Sequence, residues 1–179
     1  MYRDVTAERF RHALSQFASG VTVITTGTVG TSTAAGCTVS AFSSLSLDPP
    51  LVLACIARGK YMHKQLAEAE HFAVNVLSDH QRDVAMTFAR ASEDRFAGVP
   101  VRAGHDGVPL LQGAVAHLEC TRYAVHDGGD HDIVVGRVEQ VEVTRGEPLV
   151  YAGGHFLDLG LESRQGADVP YEWLLSAPW

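Results

Sequence analysis

Three stretches of this 179-residue chain carry side chains that could do chemistry. The densest is HDGGDHDIVVGRVEQVEV (126–143). There Gly129-Asp130-His131 stands at what reads as a hairpin tip, just ahead of a clean β-strand. A histidine at the mouth of a β-structure is placed to meet a ligand. His126, Asp127, Asp130, His131 and Asp132 together also invite a metal reading. Their spacing fits neither a zinc nor an EF-hand pattern, and around a tip they would splay, so no metal is expected. A nucleophile is not expected either, because the chain has no GxSxG elbow and no Cys–His signature.

The second stretch is AAGCTVSAFSSLSLDPPLVLACIARGK (34–60). On a strand, Thr38 and Ser40 face one way and Val39 and Ala41 the other. Ser43, Ser44 and Ser46 add hydroxyls, and Arg58 and Lys60 close the segment with charge. Hydroxyls, free backbone N–H groups and a cation can hold a phosphate without a P-loop. The same residues also describe a Ser/Thr-rich edge strand with surface charges. The third stretch, HFAVNVLSDHQRDVAMTFARASEDRF (71–96), puts Asn75 in a buried strand, where it needs hydrogen-bond partners. Arg90 and Arg95 follow a helix and either reach a second phosphate or are solvated.

Certain elements must position these groups. Thr6 reads as the N-cap of a first helix, with Val5 and Phe10 as a hydrophobic staple. Phe10, Ala13, Leu14, Phe17 and Ala18 form its apolar face, and Gly20 stops it. VTVITTG (21–27) is a strand. A second strand is expected over about 34–42 and a third over 51–57, with Asp48-Pro49-Pro50 between them excluding regular ladder pairing. A short helix over 60–69 and a buried strand over 71–78 follow. Ser78 with Gln81 makes a capping box for a helix reaching Ala89. Residues 97–110 are rich in glycine and proline and read as loop. Long strands over about 112–125 and 132–144 flank the tip at 126–131, which is expected to be longer than two residues. A last strand lies near 148–157. Strands that mostly follow one another directly favour an antiparallel barrel with peripheral helices over a βαβ sheet. No GxGxxG follows a strand, so a Rossmann site has no support.

The bulk numbers agree with one globular domain spanning 1–179, with its core at about 8–160 and a tail over 161–179. The tail ends in YEWLLSAPW and is expected to dock on its own barrel or on a second subunit, the subunit being favoured. A net charge of −7 excludes a nucleic-acid partner, since no basic stripe could neutralise phosphates. No apolar run reaches the roughly 18 residues of a membrane span, and the charged N-terminus is not a signal peptide. Cys37, Cys55 and Cys120 form no CxxC pair and read as buried small hydrophobes of a reducing compartment. The protein is therefore expected to be cytoplasmic.

The segments, in their order, resemble the flavin reductase-like, FMN-binding split-barrel family. Within it they look most like the reductase components of two-component flavin-dependent monooxygenases. The resemblance rests on F-A-S-G-V-T-V-I-T-T, then G-C-T-V-S-A-F-S-S-L-S-L-D-P-P-L-V-L-A-C-I, then F-A-V-N-V-L-S, D-R-F, G-D-H and V-G-R-V, with P-L-V-Y-A-G-G near the end. Each piece alone is weak; together, in order, they span about residues 8–160.

The resemblance implies a mainly β, α+β fold: an antiparallel split β-barrel with peripheral helices. It also implies a homodimer with a flavin, FAD or FMN, in a groove at the barrel edge. Thr38, Val39, Ser40 and Ala41 would line the isoalloxazine and ribityl part, with Ser43 and Ser44 near ribityl or phosphate. Ala57, Arg58, Gly59 and Lys60 match the stretch that meets the phosphates. Arg90 or Arg95 would reach the distal phosphates or adenosine of FAD. Asp130 and His131 belong to the G-D-H motif, whose histidine lies by the reduced nicotinamide, while Tyr151 and His155 lie near the same groove. The chain departs from the family in two places. His155-Phe156 stands where members often carry Tyr-Arg, and Gly59-Lys60-Tyr61-Met62 replaces a serine-bearing stretch after Arg58.

The implied reaction is hydride transfer from NADH, with NADPH as the alternative donor, to the flavin N5. The lack of an arginine cluster for a 2′-phosphate favours NADH. His131 would act by position, and the reduced flavin would pass to a partner monooxygenase or halogenase. Two other classes share the barrel: a non-enzymatic flavin- or haem-binding module, and a direct small-substrate flavin oxidase of the pyridoxamine phosphate oxidase type. The G-D-H motif argues against the oxidase.

Overall fold

The computed structural model describes residues 5–90, 95–157 and 159. Thr6 caps helix α1 (Ala7–Ser15), its side chain accepting from the Arg9 N–H at 3.3 Å. The helix ends at Ser15, earlier than Gly20, and the Ser15 hydroxyl donates back to the His12 carbonyl. Gly20 lies instead in a two-residue strand, β1 (Ser19–Gly20). None of α1 is buried: Val5, Phe10, Leu14 and Phe17 are all exposed, so among the described residues nothing covers its apolar face.

Strand β2 (Thr22–Thr26) is buried at every position. Both its faces are covered, and its three threonine hydroxyls donate to the carbonyls of Val39, Pro109 and His71. Its β-branched sequence suits this place at the middle of a sheet. Next come β3 (Ala35–Val39), β4 (Phe42–Leu47) and β5 (Pro50–Ala57). The single strand expected over 34–42 is thus broken at Ser40-Ala41. Beyond the break, Ser43 and Ser44 begin a hairpin with β5, turned at Asp48-Pro49 with Leu47 opposite Pro50. Proline is tolerated there because it sits at the strand's first residue.

Helix α2 (Tyr61–Glu68) leads to β6 (His71–Val76). The Ser78–Gln81 capping box then opens a single 3₁₀ turn that runs into α3 (Arg82–Ala89). Short strands β7 (Val101–Ala103) and β8 (Pro109–Leu111) pair with each other across the glycine-rich stretch. The long hairpin is β9 (Ala116–Gly128) and β10 (His131–Val143). Its turn is the two residues Gly129-Asp130, not a longer loop. Gly129 adopts φ 80°, which lets the strands pair right up to Gly128 and His131. The final strand splits into β11 (Val150–Ala152) and β12 (His155–Leu157) around Gly153-Gly154, both at positive φ.

Seven strands form one antiparallel sheet in the order β3-β2-β6-β9-β10-β5-β4. Its two edge strands, β3 and β4, are neighbours in sequence, separated only by Ser40 and Ala41. The sheet must therefore curl until its edges meet, and the result is an antiparallel split barrel with the helices outside. One apolar cluster, including Ile24, Val52, Ile56, Met62, Leu66 and Phe72, packs between the sheet and α2. A second, with Val23, Leu77, Ala85, Phe88 and Leu149, seats α3. Asn75 meets its need for partners at the barrel centre. Its amide donates to the Val23 carbonyl and the Thr25 hydroxyl, and its oxygen accepts the Leu111 N–H.

Candidate active site

The site lies where the sheet edges converge. A groove of about 480 Å³ opens there, between the end of β3, the break at Ser40-Ala41, the end of β5, the first turn of α2 and the end of α3. Its apolar wall includes Val39, Ala41, Ile56, Met62 and Phe88. Lys60, Arg95 and His131 supply the basic groups, and among the described residues no carboxylate lines it. In a chain of net charge −7, that arrangement selects an anion attached to an apolar body. A smaller cavity of about 290 Å³, walled by Val29, Phe96, Val101 and Pro109, adjoins the groove through the shared Tyr61 and Arg95.

His131 is the first residue of β10, paired with Ala57 on β5 and Gly128 on β9. Its Nδ1 lies 2.7 Å from Asp130 Oδ1, and that bond holds the Asp130 carboxyl below its usual range. A carboxylate can only accept, so Nδ1 carries the proton, and in the neutral ring Nε2 is left as an acceptor.

Thr38 donates its hydroxyl to the Ala85 carbonyl at 2.6 Å, tying β3 to α3. Val39 is buried, while Ser40 and Ala41 are exposed in the break. Arg95 donates Nη1 to the Gly36 carbonyl at 2.6 Å, while its buried Nε has no partner. An orphaned guanidinium N–H at an anion-selective groove fits a phosphate-bearing ligand such as a flavin nucleotide.

The structure therefore gathers Thr38, Val39, Ser40, Ala41, Ala57, Lys60, Arg95 and His131 around one groove. It does not bring the remaining candidates to that lining. Ser43 and Ser44 are exposed on β4. Gly59 turns the chain at φ 74°, and Arg90 is exposed just after α3. Asp130 touches the groove only through His131. Tyr151 packs edge-on against Phe156 in the second apolar cluster, and His155 is exposed on β12. Arg58 turns away to the hairpin, with Nη2 2.6 Å from Asp127 Oδ1 and Nε 2.7 Å from Asp132 Oδ1. The expected docking of the tail over 161–179 lies outside the described residues.

Reasoning from sequence missed Tyr61, Met62, Phe88 and Cys37 as lining residues. Burial pushes the Cys37 thiol up to about 12, against the pull of Arg95, and burial pushes Cys120 to about 12 as well. Thiols held protonated in this way are poor nucleophiles at pH 8. In the native protein both should resist iodoacetamide at pH 8 and label fully in denaturant, as read by mass spectrometry. Rapid native labelling of Cys37 would contradict this.

Comparison with known proteins agrees with this geometry. The family model described as flavin reductase like domain matches residues 14–160. A probable flavin reductase of Rhizobium meliloti is 43% identical over 158 residues, covering 85% of this chain and 50% of that protein. The chain thus spans half the length of that relative. The reductase subunit of a flavin-dependent monooxygenase from Mycobacterium tuberculosis is 36% identical, covering 97% of this chain and 91% of the relative. Among solved structures, the NADH:FAD oxidoreductase of Streptomyces globisporus, in complex with NAD and FAD fragments, superposes with a TM-score of 0.83 at 36% identity. That match covers 93% of this chain and all of the other. With the family model covering most of its length, the chain belongs to the flavin reductase like domain family.

Proposed function

We propose that the protein is an NAD(P)H:flavin oxidoreductase that reduces FAD or FMN and supplies the reduced flavin to a partner monooxygenase or halogenase. The observation that carries this reading is the groove itself: an apolar wall, two cations and a histidine, with no carboxylate among the described lining residues. The relatives' names support it. A bound flavin would supply the hydride acceptor. Val39, Ala41 and Ile56 would form the apolar surface for its ring, and Lys60 and Arg95 would hold phosphate. Ser40 and the hydroxyl oxygen of Thr38 offer polar contacts. His131 Nε2 would accept from the carboxamide of a hydride donor and so orient it. Little proton transfer is required of the chain, which accords with the lack of a catalytic triad. Ser43, Ser44, Arg90, Tyr151 and His155 stand off the lining of this groove.

A homodimer is supported by α1, whose apolar face is exposed on the single chain. Burying such a face is the ordinary reason for one to exist. Among the described residues no helix is long and apolar enough to cross a membrane, and the cytoplasm is the proposed compartment.

The test is oxidation of NADH and NADPH by the purified protein with added FAD or FMN. Turnover that depends on added flavin is expected, faster with NADH. No oxidation with any of the four pairs would overturn the reading in favour of a binding module.

A further inference from the structure

Arg58 is committed to the hairpin. Nε and Nη2 reach Asp132 Oδ1 at 2.7 and 2.6 Å, Nη2 reaches Asp127 Oδ1 at 2.6 Å, and Nη1 donates to the Gly129 carbonyl at 2.8 Å. Its backbone N–H donates to the Asp130 carbonyl at 3.0 Å. The other oxygen of Asp132 meets His63 Nε2 of α2 at 2.7 Å. At its far end, α2 is held by Arg122 of β9, which donates to the carbonyls of Leu66 and Ala67.

Asp127 and Asp132 sit directly opposite each other across β9 and β10. Two like charges in that position repel and would loosen the pair. Arg58 between them turns repulsion into a bridge. The bond from His63 and then that from Arg58 hold Asp132 below the usual carboxylate range. Successive residues of a strand point to opposite faces. Asp132 lies on the face that packs against α2, with Val134 and Ile56, so clamping it there fixes its neighbour His131 on the opposite face, at the groove.

We propose that Arg58, Asp132 and His63 are positioning residues that aim His131 into the groove, a role that rests on reading His131 as the contact to the hydride donor. Surface pairs of this kind contribute little to global stability, so removing them should disorder the tip without unfolding the barrel.

Arg58→Ala is expected to lower kcat/KM for NADH by about tenfold, leave the flavin Kd within about twofold, and barely move Tm. Arg58→Lys, whose ammonium cannot serve two carboxylates and a carbonyl at once, should fall between. The double variant Arg58→Ala/His131→Ala should match His131→Ala alone within about twofold, because the arginine acts through the histidine. Amide hydrogen exchange over 128–133 should speed up in Arg58→Ala by about tenfold, with β2 unchanged. Additive losses in the double variant, or unchanged exchange at the tip, would overturn the proposal. So would a tenfold weaker flavin Kd with NADH kinetics intact, which would assign the guanidinium to the flavin phosphate. A wild-type protein inactive with every flavin and donor would remove the parent reading instead, and the exchange experiment would still decide whether Arg58 orders the tip.

Discussion

His131→Ala is expected to cut kcat/KM for NADH by roughly 10- to 100-fold, with flavin affinity unchanged within about twofold. The size follows from what the side chain does. It forms no bond in the reaction; it holds one ring of the donor in register with another. Loss of that contact removes about 1.4–2.7 kcal/mol of transition-state stabilisation by the same arithmetic. Alanine keeps the strand pairing to Ala57 and Gly128, which uses only the backbone, so the groove keeps its shape. Asp130 loses its partner and returns toward its ordinary titration range. Stopped-flow reduction of the bound flavin is the decisive measurement, since it isolates hydride transfer from flavin release. Wild-type reduction rates in His131→Ala would remove the histidine from the reaction.

The largest stability effect should come from Asn75→Leu. Asn75 is fully buried, and its three hydrogen bonds join β6 to β2 and to the segment carrying Leu111. Leucine has the same branched shape but is larger, so it crowds a closed site and satisfies none of those partners. It strands the Leu111 N–H, and Leu111 is itself fully buried. A buried donor left unpaired costs about 1–3 kcal/mol, and the weakened Val23 and Thr25 contacts add to that. A total of about 3 kcal/mol corresponds to a drop in Tm of roughly 6–12 °C for a chain of this size. Thermal unfolding followed by circular dichroism checks it. Because Asn75 does not line the groove, NADH kinetics below the transition should stay near wild type. A Tm within a degree or two of wild type would mean that these bonds are replaced by others.

What could be read from the sequence was local. The Thr6 cap, the Ser78–Gln81 capping box and the β-branched run 22–26 each follow from residues within a few positions of one another. The buried Asn75 announced its need for partners but not who they were. What was hidden depends on distance along the chain. Thr38 reaches Ala85 across 47 residues, and Arg58 reaches Asp127 and Asp132 across 69 and 74. Nothing local marks Arg58 as a hairpin clamp, because a cation beside Gly59-Lys60 reads equally well as a phosphate ligand. The break at Ser40-Ala41 was missed for a related reason. Its residues are as strand-compatible as their neighbours, and only closure of the sheet demands a bend there. The tip was read as too long because glycine allows several turns, and only the pairing of Gly128 with His131 selects the tightest.

The junction at Ser40-Ala41 has a consequence for how the protein can change over generations. Each edge strand of a sheet leaves its outward row of N–H and C=O groups without ladder partners. Here the two rows flank the break, with the Ala41 carbonyl already taken by the Cys55 N–H. A ligand seated along that seam can be recognised by main chain, which every amino acid except proline presents alike. Composition at this junction is therefore free to drift, whereas its length is not. One residue inserted between Val39 and Phe42 would spread β3 and β4 apart at the seam that lines the groove. New ligand preferences are accordingly open to point substitution, and the barrel itself is guarded against insertion.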